Sequence, residues 1–134
     1  MTEPGTLRVG IDLVQVSRVA ESLERFGDRF LRRVFTEREV AYASADPAQT
    51  AERLAARFAA KEATLKALDL ADRMTWRDVE VRRAPSGACA VELSGGAARA
   101  AAQSGAFELA LSLSHEGDYA AAVVVARLSP ERGS

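Results

Sequence analysis

The order of apolar and polar residues predicts a strand first, then helices, then strands again. Apolar side chains alternate along segment 7–14, at Val9, Ile11 and Leu13, as they do in a β-strand. Segments 15–26 and 46–68 are helix-like, and the second is rich in Ala, Leu, Arg and Glu, which are good helix formers. The first half of the chain therefore predicts one strand followed by helices.

Local signals indicate where these helices begin and end. Gly27 ends or kinks the helix over 15–26. Thr36 is followed three residues later by Glu39, the spacing of a capping box. Asp46 is a candidate N-cap, and Pro47 suits the first position of the long helix.

The second half of the chain returns to strand-like periodicity. Segments 76–83 and 88–93 predict two strands joined by a turn, and Ser94 is a candidate cap of a short helix over 95–104. Segments 107–115 and 119–128 predict an antiparallel hairpin that turns at 116–118. One face of its first strand would carry Phe107, Leu109, Leu111 and Leu113.

This order of elements predicts an α+β fold, in which one long and several short helices pack against an antiparallel sheet. The length of 134 residues suits a single domain, 1–134, with an ordered core at about 6–128. The ends, 1–5 and 129–134, are rich in Pro, Gly, Ser and charge and are expected to be loose tails.

Composition excludes several classes of function. The net charge of -1 provides no overall field toward nucleic acid or an anionic membrane. The single cysteine, Cys89, forms no internal disulfide, which suits a reducing compartment. No apolar run approaches the ~20 residues of a membrane span, and the N-terminus lacks the regions of a signal peptide. A cytoplasmic protein is expected.

Glu62 interrupts the apolar stripe of the long helix. On a helical wheel, Glu62 falls in a stripe about 100° wide, and Lys66 lies one turn later at its edge. One interpretation is a surface ion pair between the two, worth ~0.2–0.5 kcal/mol. The other is a buried carboxylate, which needs a cation or a metal. The stripe consists of Ala51, Leu54, Ala55, Phe58, Glu62 and Leu65.

Two other residues are candidates for chemistry. Asp12 lies inside a strand, where Asp is disfavoured, and either caps the next helix or faces a ligand. His115, the only histidine, ends a strand beside a turn. Two carboxylates suit Mg²⁺, and Lys66 and His115 suit phosphate oxygens. Together these residues indicate phosphoryl-type transfer from a pyrophosphate.

Four motifs resemble those of holo-acyl-carrier-protein synthases, the short single-domain class of 4'-phosphopantetheinyl transferases. The resemblance covers roughly 7–128 and keeps the order of the motifs. They are VGIDLVQVSRV (9–19), RFLRRVFTERE (29–39), RFAAKEATLKAL (57–68) and LSLSHEGDYAAAVVV (111–125).

The resemblance implies Mg²⁺-dependent transfer of the phosphopantetheine arm of coenzyme A to a serine of apo acyl carrier protein, for fatty acid or polyketide synthesis, with 3',5'-ADP as the leaving product. It implies that Asp12 and Glu62 bind the metal and act in catalysis with Lys66. The residues implied to contact coenzyme A are Arg57, Lys61, Lys66, His115 and Gly87. For the general base, a metal-bound water and Glu116 both stay open.

The resemblance also implies two kinds of protein contact. Arg18 and Arg25 match positions that dock the acidic carrier, whereas Arg29, Arg32 and Arg33 carry no assignment. Were 15–33 one helix, Arg18, Arg25, Arg29 and Arg32 would share one face. The family also implies a homotrimer with active sites between protomers.

One turn departs from the family pattern. Family members often carry Gly-Lys-Pro or Gly-Arg-Pro between the middle strands, near the adenosine part of the ligand. Here the residues are Ser86, Gly87, Ala88 and Cys89, without the basic residue or the proline. Cys89 is expected to be a small buried residue.

Two alternatives to the transferase have distinct consequences. A non-catalytic module would bind coenzyme A or a nucleotide without modifying a carrier. An interaction domain for an acidic partner would need neither ligand nor metal.

Overall fold

A computed structural model describes residues 5–130 of the chain. The strands are β1 (Thr6–Gln15), β2 (Val79–Arg83), β3 (Cys89–Leu93), β4 (Ala106–Glu116) and β5 (Tyr119–Leu128). The α-helices are α1 (Val16–Phe26), α2 (Asp28–Val34), α3 (Glu37–Ser44), α4 (Thr50–Leu68) and α5 (Gly95–Gln103). Short 3₁₀ helices span Pro47–Gln49 and Trp76–Asp78.

The strands form two antiparallel sheets. A three-stranded sheet has the order β1-β5-β4, and β2 and β3 form a separate hairpin. The predicted α+β fold, with one long and several short helices, is confirmed. Within residues 5–130, no helix is long and apolar enough to cross a membrane. The predicted tails lie mostly outside the described residues.

Alanines on α4 allow this helix to lie directly against the sheet. Ala59, Ala63 and Ala67 are almost fully buried. Opposite them, a Cβ atom placed on Gly10 of β1 would come within 1.9 Å of the Ala63 carbonyl oxygen. Since no side chain fits there, the strand needs glycine at this position. The close approach brings the next inward residue of β1, Asp12, next to α4.

The start of α1 is held by the hairpin between β4 and β5. Gln15 occupies the N-cap position without a side-chain capping bond. Instead, the carboxylate of Asp118 accepts hydrogen bonds from the Ser17 amide at 2.9 Å and the Ser17 hydroxyl at 2.6 Å. Asp118 therefore fixes α1 relative to the sheet, by a contact that is not local in sequence.

Most predicted boundaries agree with the structure. Gly27, with φ of 52°, ends α1, so 15–33 is two helices and the four-arginine face does not form as one helical stripe. The capping box of Thr36 and Glu39 is present. Asp46 caps the 3₁₀ helix before α4 rather than α4 itself, because the first turn is tighter than predicted.

Three details of the later elements were predicted wrongly. Residues 76–78 form a 3₁₀ helix rather than the start of a strand. Ser94 occupies the N-cap position of α5 but makes no side-chain capping bond. Phe107 is 62% exposed, whereas Leu109, Leu111 and Leu113 pack on the core. A register irregularity between Ala106 and Glu108 interrupts the alternation of inward and outward side chains along β4, so Phe107 does not share the face of the leucines.

Candidate active site

Asp12 of β1 faces α4 and contacts Lys66. The Lys66 ammonium donates to Asp12 Oδ1 at 2.9 Å and to the Ile11 carbonyl oxygen at 3.1 Å. The Asp12 side chain is only 15% exposed, whereas that of Lys66 is half exposed. Since Asp118 supplies the cap of α1, the interpretation of Asp12 as a capping residue is not supported.

Glu62 lies on a flank of α4 and not in its buried stripe. The buried residues of α4 are Leu54, Ala55, Ala56, Arg57, Ala59, Ala60, Lys61, Ala63, Thr64, Ala67 and Leu68. Phe58, Glu62 and Leu65 are half-buried beside them, so the predicted wheel was displaced to one side. Glu62 and Asp12 both line a cleft of about 450 Å³ between β1, α1, α2 and α4.

Burial and like charge act together on the Glu62 carboxylate. Partial burial raises the pKa of Glu62, the charge of Asp12 raises it further, and Lys66 partly opposes both effects. The hydrogen bond to Asp12 raises the pKa of Lys66. Among the ion pairs of residues 5–130, Lys66 joins Asp12 and none joins Glu62 to Lys66. The surface-pair interpretation of Glu62 is therefore not supported.

The chemistry of this cleft fits a hard divalent cation. No group of three or more His, Cys, Asp or Glu side chains suited to a metal occurs among the described residues. Two carboxylates remain, and their mutual repulsion is the kind that a cation relieves. A site with only two carboxylate ligands leaves coordination positions for water and phosphate, as Mg²⁺ prefers.

His115 does not join this cleft within one chain. It lies one residue before the end of β4, opposite Ala120, and its Nδ1 atom lies 3.5 Å from Glu52 Oε1 near the start of α4. The side chain is 59% exposed. Ser112 and Ser114 are exposed, on the sheet face opposite the leucines, as predicted. Glu116 is also exposed and does not line the cleft.

Lys61 is a buried structural residue, which disagrees with its predicted contact to coenzyme A. Its side chain has no exposed area, and its ammonium lies 2.8 Å from Glu39 Oε1. It also donates to the carbonyl oxygens of Trp76, at 3.1 Å, and Val79. Its three donors are therefore used inside the protein, and none is left for a ligand.

Arg57 lies on the flank of α4 that faces β2. It is 4% exposed and lines a pocket of about 200 Å³ with Tyr42 and Arg83. Its Nε atom is buried without a hydrogen-bond partner among the described residues. Gly87 has φ of 93°, and a Cβ there would lie 3.3 Å from an Arg83 guanidinium nitrogen. Gly87 thus lies beside Arg83, which lines this second pocket, and not beside Asp12.

The structure gives the exposure of Cys89 and of the two arginines that are predicted to dock the carrier. Cys89 is half-buried rather than buried. Arg18 is exposed and lines the cleft that contains Asp12 and Glu62. Arg25 is exposed at the end of α1, with its guanidinium 5.3 Å from the ring centre of Phe26. Among the described residues, Arg18 is therefore the arginine that lines this cleft.

Sequence reasoning missed three residues of structural importance. Glu39 was assigned only as a capping residue, yet it is the partner of Lys61 and accepts from the Val81 amide at 2.8 Å. Tyr42 and Asp118 received no role. No local pattern pointed to the pair, because Lys61 has Arg57 and Thr64 beside it on the helical wheel and its acidic partner Glu39 lies on another helix.

The fold and cleft define a class of protein: a small α+β domain that offers two carboxylates and a lysine beside one sheet edge. Comparison with known proteins identifies the family to which this domain belongs. Residues 8–124 match the family model of the 4'-phosphopantetheinyl transferase superfamily. The chain belongs to this superfamily, in its holo-[acyl-carrier-protein] synthase family, and the predicted enzyme class is confirmed.

Individual relatives support this assignment. The chain is 46% identical over 121 residues to a holo-[acyl-carrier-protein] synthase of Koribacter versatilis, covering 89% of this chain and 96% of the relative. An ACPS–CoA complex from Chronobacterium ammoniagenes superimposes with a TM-score of 0.81 at 37% identity, covering 93% and 99% of the two chains. The Helicobacter pylori holo-[acyl-carrier-protein] synthase in complex with coenzyme A gives 0.78 at 28% identity, covering 88% and 98%.

Proposed function

We propose that this chain uses Mg²⁺ to transfer the 4'-phosphopantetheine arm of coenzyme A to a serine hydroxyl of an apo acyl carrier protein. The holo carrier would serve fatty acid or polyketide synthesis. The observation that carries the proposal is the cleft lined by Asp12 and Glu62, with Lys66 hydrogen-bonded to Asp12 beside it. The coenzyme A complexes of similar structures support the choice of donor.

The transfer exchanges one phosphorus–oxygen bond for another. The serine oxygen attacks the phosphorus that bears the pantetheine arm, and the bond from that phosphorus to the bridging oxygen breaks. The bonding electrons leave with 3',5'-ADP, and the serine proton passes to a base. The protein therefore has to align two oxygens and stabilise the charge that grows on the leaving phosphate.

Each residue of the cleft has a role that follows from its position. Asp12 and Glu62 would hold the cation between β1 and α4, where Lys66 pairs with Asp12 and no ion pair among residues 5–130 involves Glu62. Bound Mg²⁺ would supply charge neutralisation for the pyrophosphate. The half-exposed Lys66 ammonium, now on Asp12 at 2.9 Å, is free to turn toward a phosphate oxygen.

The transfer reaction has a direct test. Purified protein, coenzyme A, Mg²⁺ and an apo carrier are incubated, and the carrier is weighed by mass spectrometry. A gain of the phosphopantetheine mass supports the proposal. No gain of mass with several carriers, including the native one, would refute the proposal. Binding of coenzyme A without modification would indicate the non-catalytic module, and binding of neither coenzyme A nor Mg²⁺ would indicate the interaction domain.

Carrier docking is assigned to the surface around Arg18 and Arg25. Acyl carrier proteins are acidic, and Arg18 connects an exposed helix face to the cleft of Asp12 and Glu62. Charges at an interface rim act mainly on encounter and affinity. We therefore assign to Arg18 and Arg25 an effect on the carrier and not on coenzyme A.

Replacing Arg18 by Glu is expected to raise KM for the carrier about tenfold, since it converts an attractive contact into a repulsive one. KM for coenzyme A should change little. Steady-state kinetics with each substrate varied in turn provide the measurement. Arg99→Glu, the same charge change on the exposed surface of α5, is the control. An unchanged carrier KM in Arg18→Glu would refute the docking role.

The outer face of the three-stranded sheet supports assembly into a homotrimer. Leu7, Val9, Ile11 and Leu13 of β1 are each about 60% exposed there. A contiguous apolar face of this kind marks an interaction surface. His115 lies outside the cleft of its own chain, so we assign it to the cleft of a neighbouring protomer, where it would contact coenzyme A phosphate.

Replacing Val9 by Asp is expected to dissociate the trimer, because it places a charge on the apolar face. Light scattering after size exclusion should change from three times the protomer mass of 14.3 kDa to that mass, and activity should fall with it. Ala71→Asp, at an exposed loop position, is the matched control. A wild-type chain that is monomeric and fully active would contradict the assembly.

A further inference from the structure

Lys66 of α4 is held against β1 by two acceptors. Its ammonium donates to Asp12 Oδ1 at 2.9 Å and to the Ile11 carbonyl oxygen at 3.1 Å. β1 is an edge strand of the three-stranded sheet, and Lys66 lies against it from the adjacent helix. Since one of the two acceptors is an uncharged carbonyl oxygen, the contact fixes the position of the ammonium and is more than a general attraction between charges.

Lys66 pairs with Asp12 although another carboxylate lies closer to it in sequence. Glu62 precedes Lys66 by four residues on the same helix, the spacing at which exposed helical ion pairs form. Among the ion pairs of residues 5–130, Lys66 joins Asp12 and none involves Glu62. With the ammonium in place, only 15% of the Asp12 side chain is exposed. Little of this carboxylate therefore remains accessible to a second cation.

A divalent cation on Asp12 would compete with this ammonium. Mg²⁺ binds carboxylate oxygens at about 2.1 Å, and Lys66 lies 2.9 Å from an oxygen of the same carboxylate. Two cations at such short range repel each other strongly where the surroundings are partly buried. Lys66 and the metal are therefore expected to share Asp12 only when an anion lies near both of them.

The donor of the proposed reaction supplies such an anion. Asp12, Glu62 and Lys66 together carry net negative charge, which Mg²⁺ alone would reverse and Mg²⁺ with an anionic pyrophosphate would restore. Phosphate oxygens also accept hydrogen bonds from lysine, so they replace the two acceptors that Lys66 leaves. The Lys66 side chain is half exposed and has room for this movement.

We propose that Lys66 occupies Asp12 as an internal cation until the donor binds, and so keeps Mg²⁺ from binding tightly in the absence of coenzyme A. This inference rests on the proposed function, because it concerns the same metal, donor and cleft. When both ligands bind, Lys66 exchanges Asp12 and the Ile11 carbonyl oxygen for phosphate oxygens. The metal and the donor then load together, and each strengthens the binding of the other by the same factor.

The first test measures metal affinity in the absence of coenzyme A. Lys66→Met removes the competing ammonium and is expected to bind Mn²⁺ or Mg²⁺ about tenfold more tightly than wild type, a usual size for coupling between two sites. Mn²⁺ is followed by electron paramagnetic resonance and Mg²⁺ by calorimetry. Arg99→Met makes the same change of charge on the exposed surface of α5 and should stay within about twofold of wild type. A metal affinity of Lys66→Met that is equal to wild type or weaker would overturn the proposal.

The second test follows Lys66 itself, since its charge also acts on the metal from a distance. Lys61 and Lys66 are the only lysines of the chain, so selective isotope labelling of lysine nitrogen gives two ammonium signals in nuclear magnetic resonance. A titration with Mg²⁺ and coenzyme A should shift the Lys66 signal as the metal binds. The Lys61 signal should stay in place and serve as the reference, because Lys61 is buried on Glu39. A Lys66 signal that does not change on metal binding would show that the ammonium stays on Asp12, and would contradict the exchange.

These tests separate failure of the inference from failure of the proposed function. A wild-type protein that transfers nothing would refute the proposed function, and the metal affinities and lysine signals would still decide the role of Lys66. If neither wild type nor Lys66→Met bound Mn²⁺ or Mg²⁺, the inference would also be overturned. In Asp12→Asn without ligands the Lys66 signal should differ from that of wild type, and an identical signal would show that Asp12 does not hold the ammonium.

Discussion

Replacing Glu62 by Gln is expected to lower kcat/KM for holo-carrier formation roughly 10³-fold, the equivalent of several kcal/mol of lost charge stabilisation. Glutamine keeps the shape of the side chain and removes its charge, so Asp12 would be left as the single carboxylate of the cleft. The concentration of Mg²⁺ at half-maximal rate should rise as well. Steady-state rates across a Mg²⁺ titration provide the measurement.

The same variant should be at least as stable as wild type at neutral pH. The folded-state pKa of Glu62 is raised, chiefly by burial and next by Asp12. Between the ordinary pKa and this raised value the folded state binds more protons, so the free energy of unfolding falls as pH rises through that window. The glutamine of the variant has no proton to lose, so the urea midpoint of Glu62→Gln should not show this fall as the pH rises above the ordinary carboxyl pKa.

The combination of lost activity and retained stability separates a functional carboxylate from a structural one. Glu92→Gln, a change of the same type on the exposed face of β3, is the control and should keep both properties. Full Mg²⁺-dependent activity in Glu62→Gln would exclude Glu62 as a ligand. Lost activity together with a large loss of stability would show that the carboxylate supports the fold.

Much of the fold could be predicted because its signals are local. The alternation in β1, the capping box of Thr36 and Glu39, and the glycine that ends α1 each lie within a few residues of the element they define. The carboxylates at 12 and 62 could be singled out for the same reason, since each breaks a local pattern. Their shared cleft depends on the approach of β1 to α4 at Gly10, which no local pattern shows.

The displaced helical wheel has a physical explanation. The buried face of α4 is formed mainly by alanines, because the sheet approaches closely enough to exclude larger side chains. Phe58 and Leu65 are more apolar than alanine, so the prediction from the sequence centred the buried stripe on the flank that carries them. Lys61 was misassigned for a related reason: its partners, Glu39 and the carbonyl oxygens of Trp76 and Val79, are distant in sequence.

Replacing Lys61 by Met is expected to lower the free energy of unfolding by about 3–5 kcal/mol, the usual cost of breaking a buried ion pair. The Lys61 and Glu39 side chains are both fully buried, 2.8 Å apart. Methionine fills the space but leaves the Glu39 carboxylate without its cation and two carbonyl oxygens without their donor. Urea denaturation followed by circular dichroism provides the measurement.

Two further variants show whether the unpaired charge of Glu39 causes the loss of stability in Lys61→Met. In Glu39→Gln with Lys61→Met no buried charge remains at this pair, so this double variant should recover part of the lost stability. Arg82→Gln breaks the exposed pair between Arg82 and Glu92, with side chains 47% and 59% exposed, and should cost less than about 1 kcal/mol. If Lys61→Met cost no more than Arg82→Gln, the pair would not stabilise the fold. If the double variant were no more stable than Lys61→Met, the lost packing and carbonyl contacts of Lys61, and not the charge of Glu39, would account for the effect.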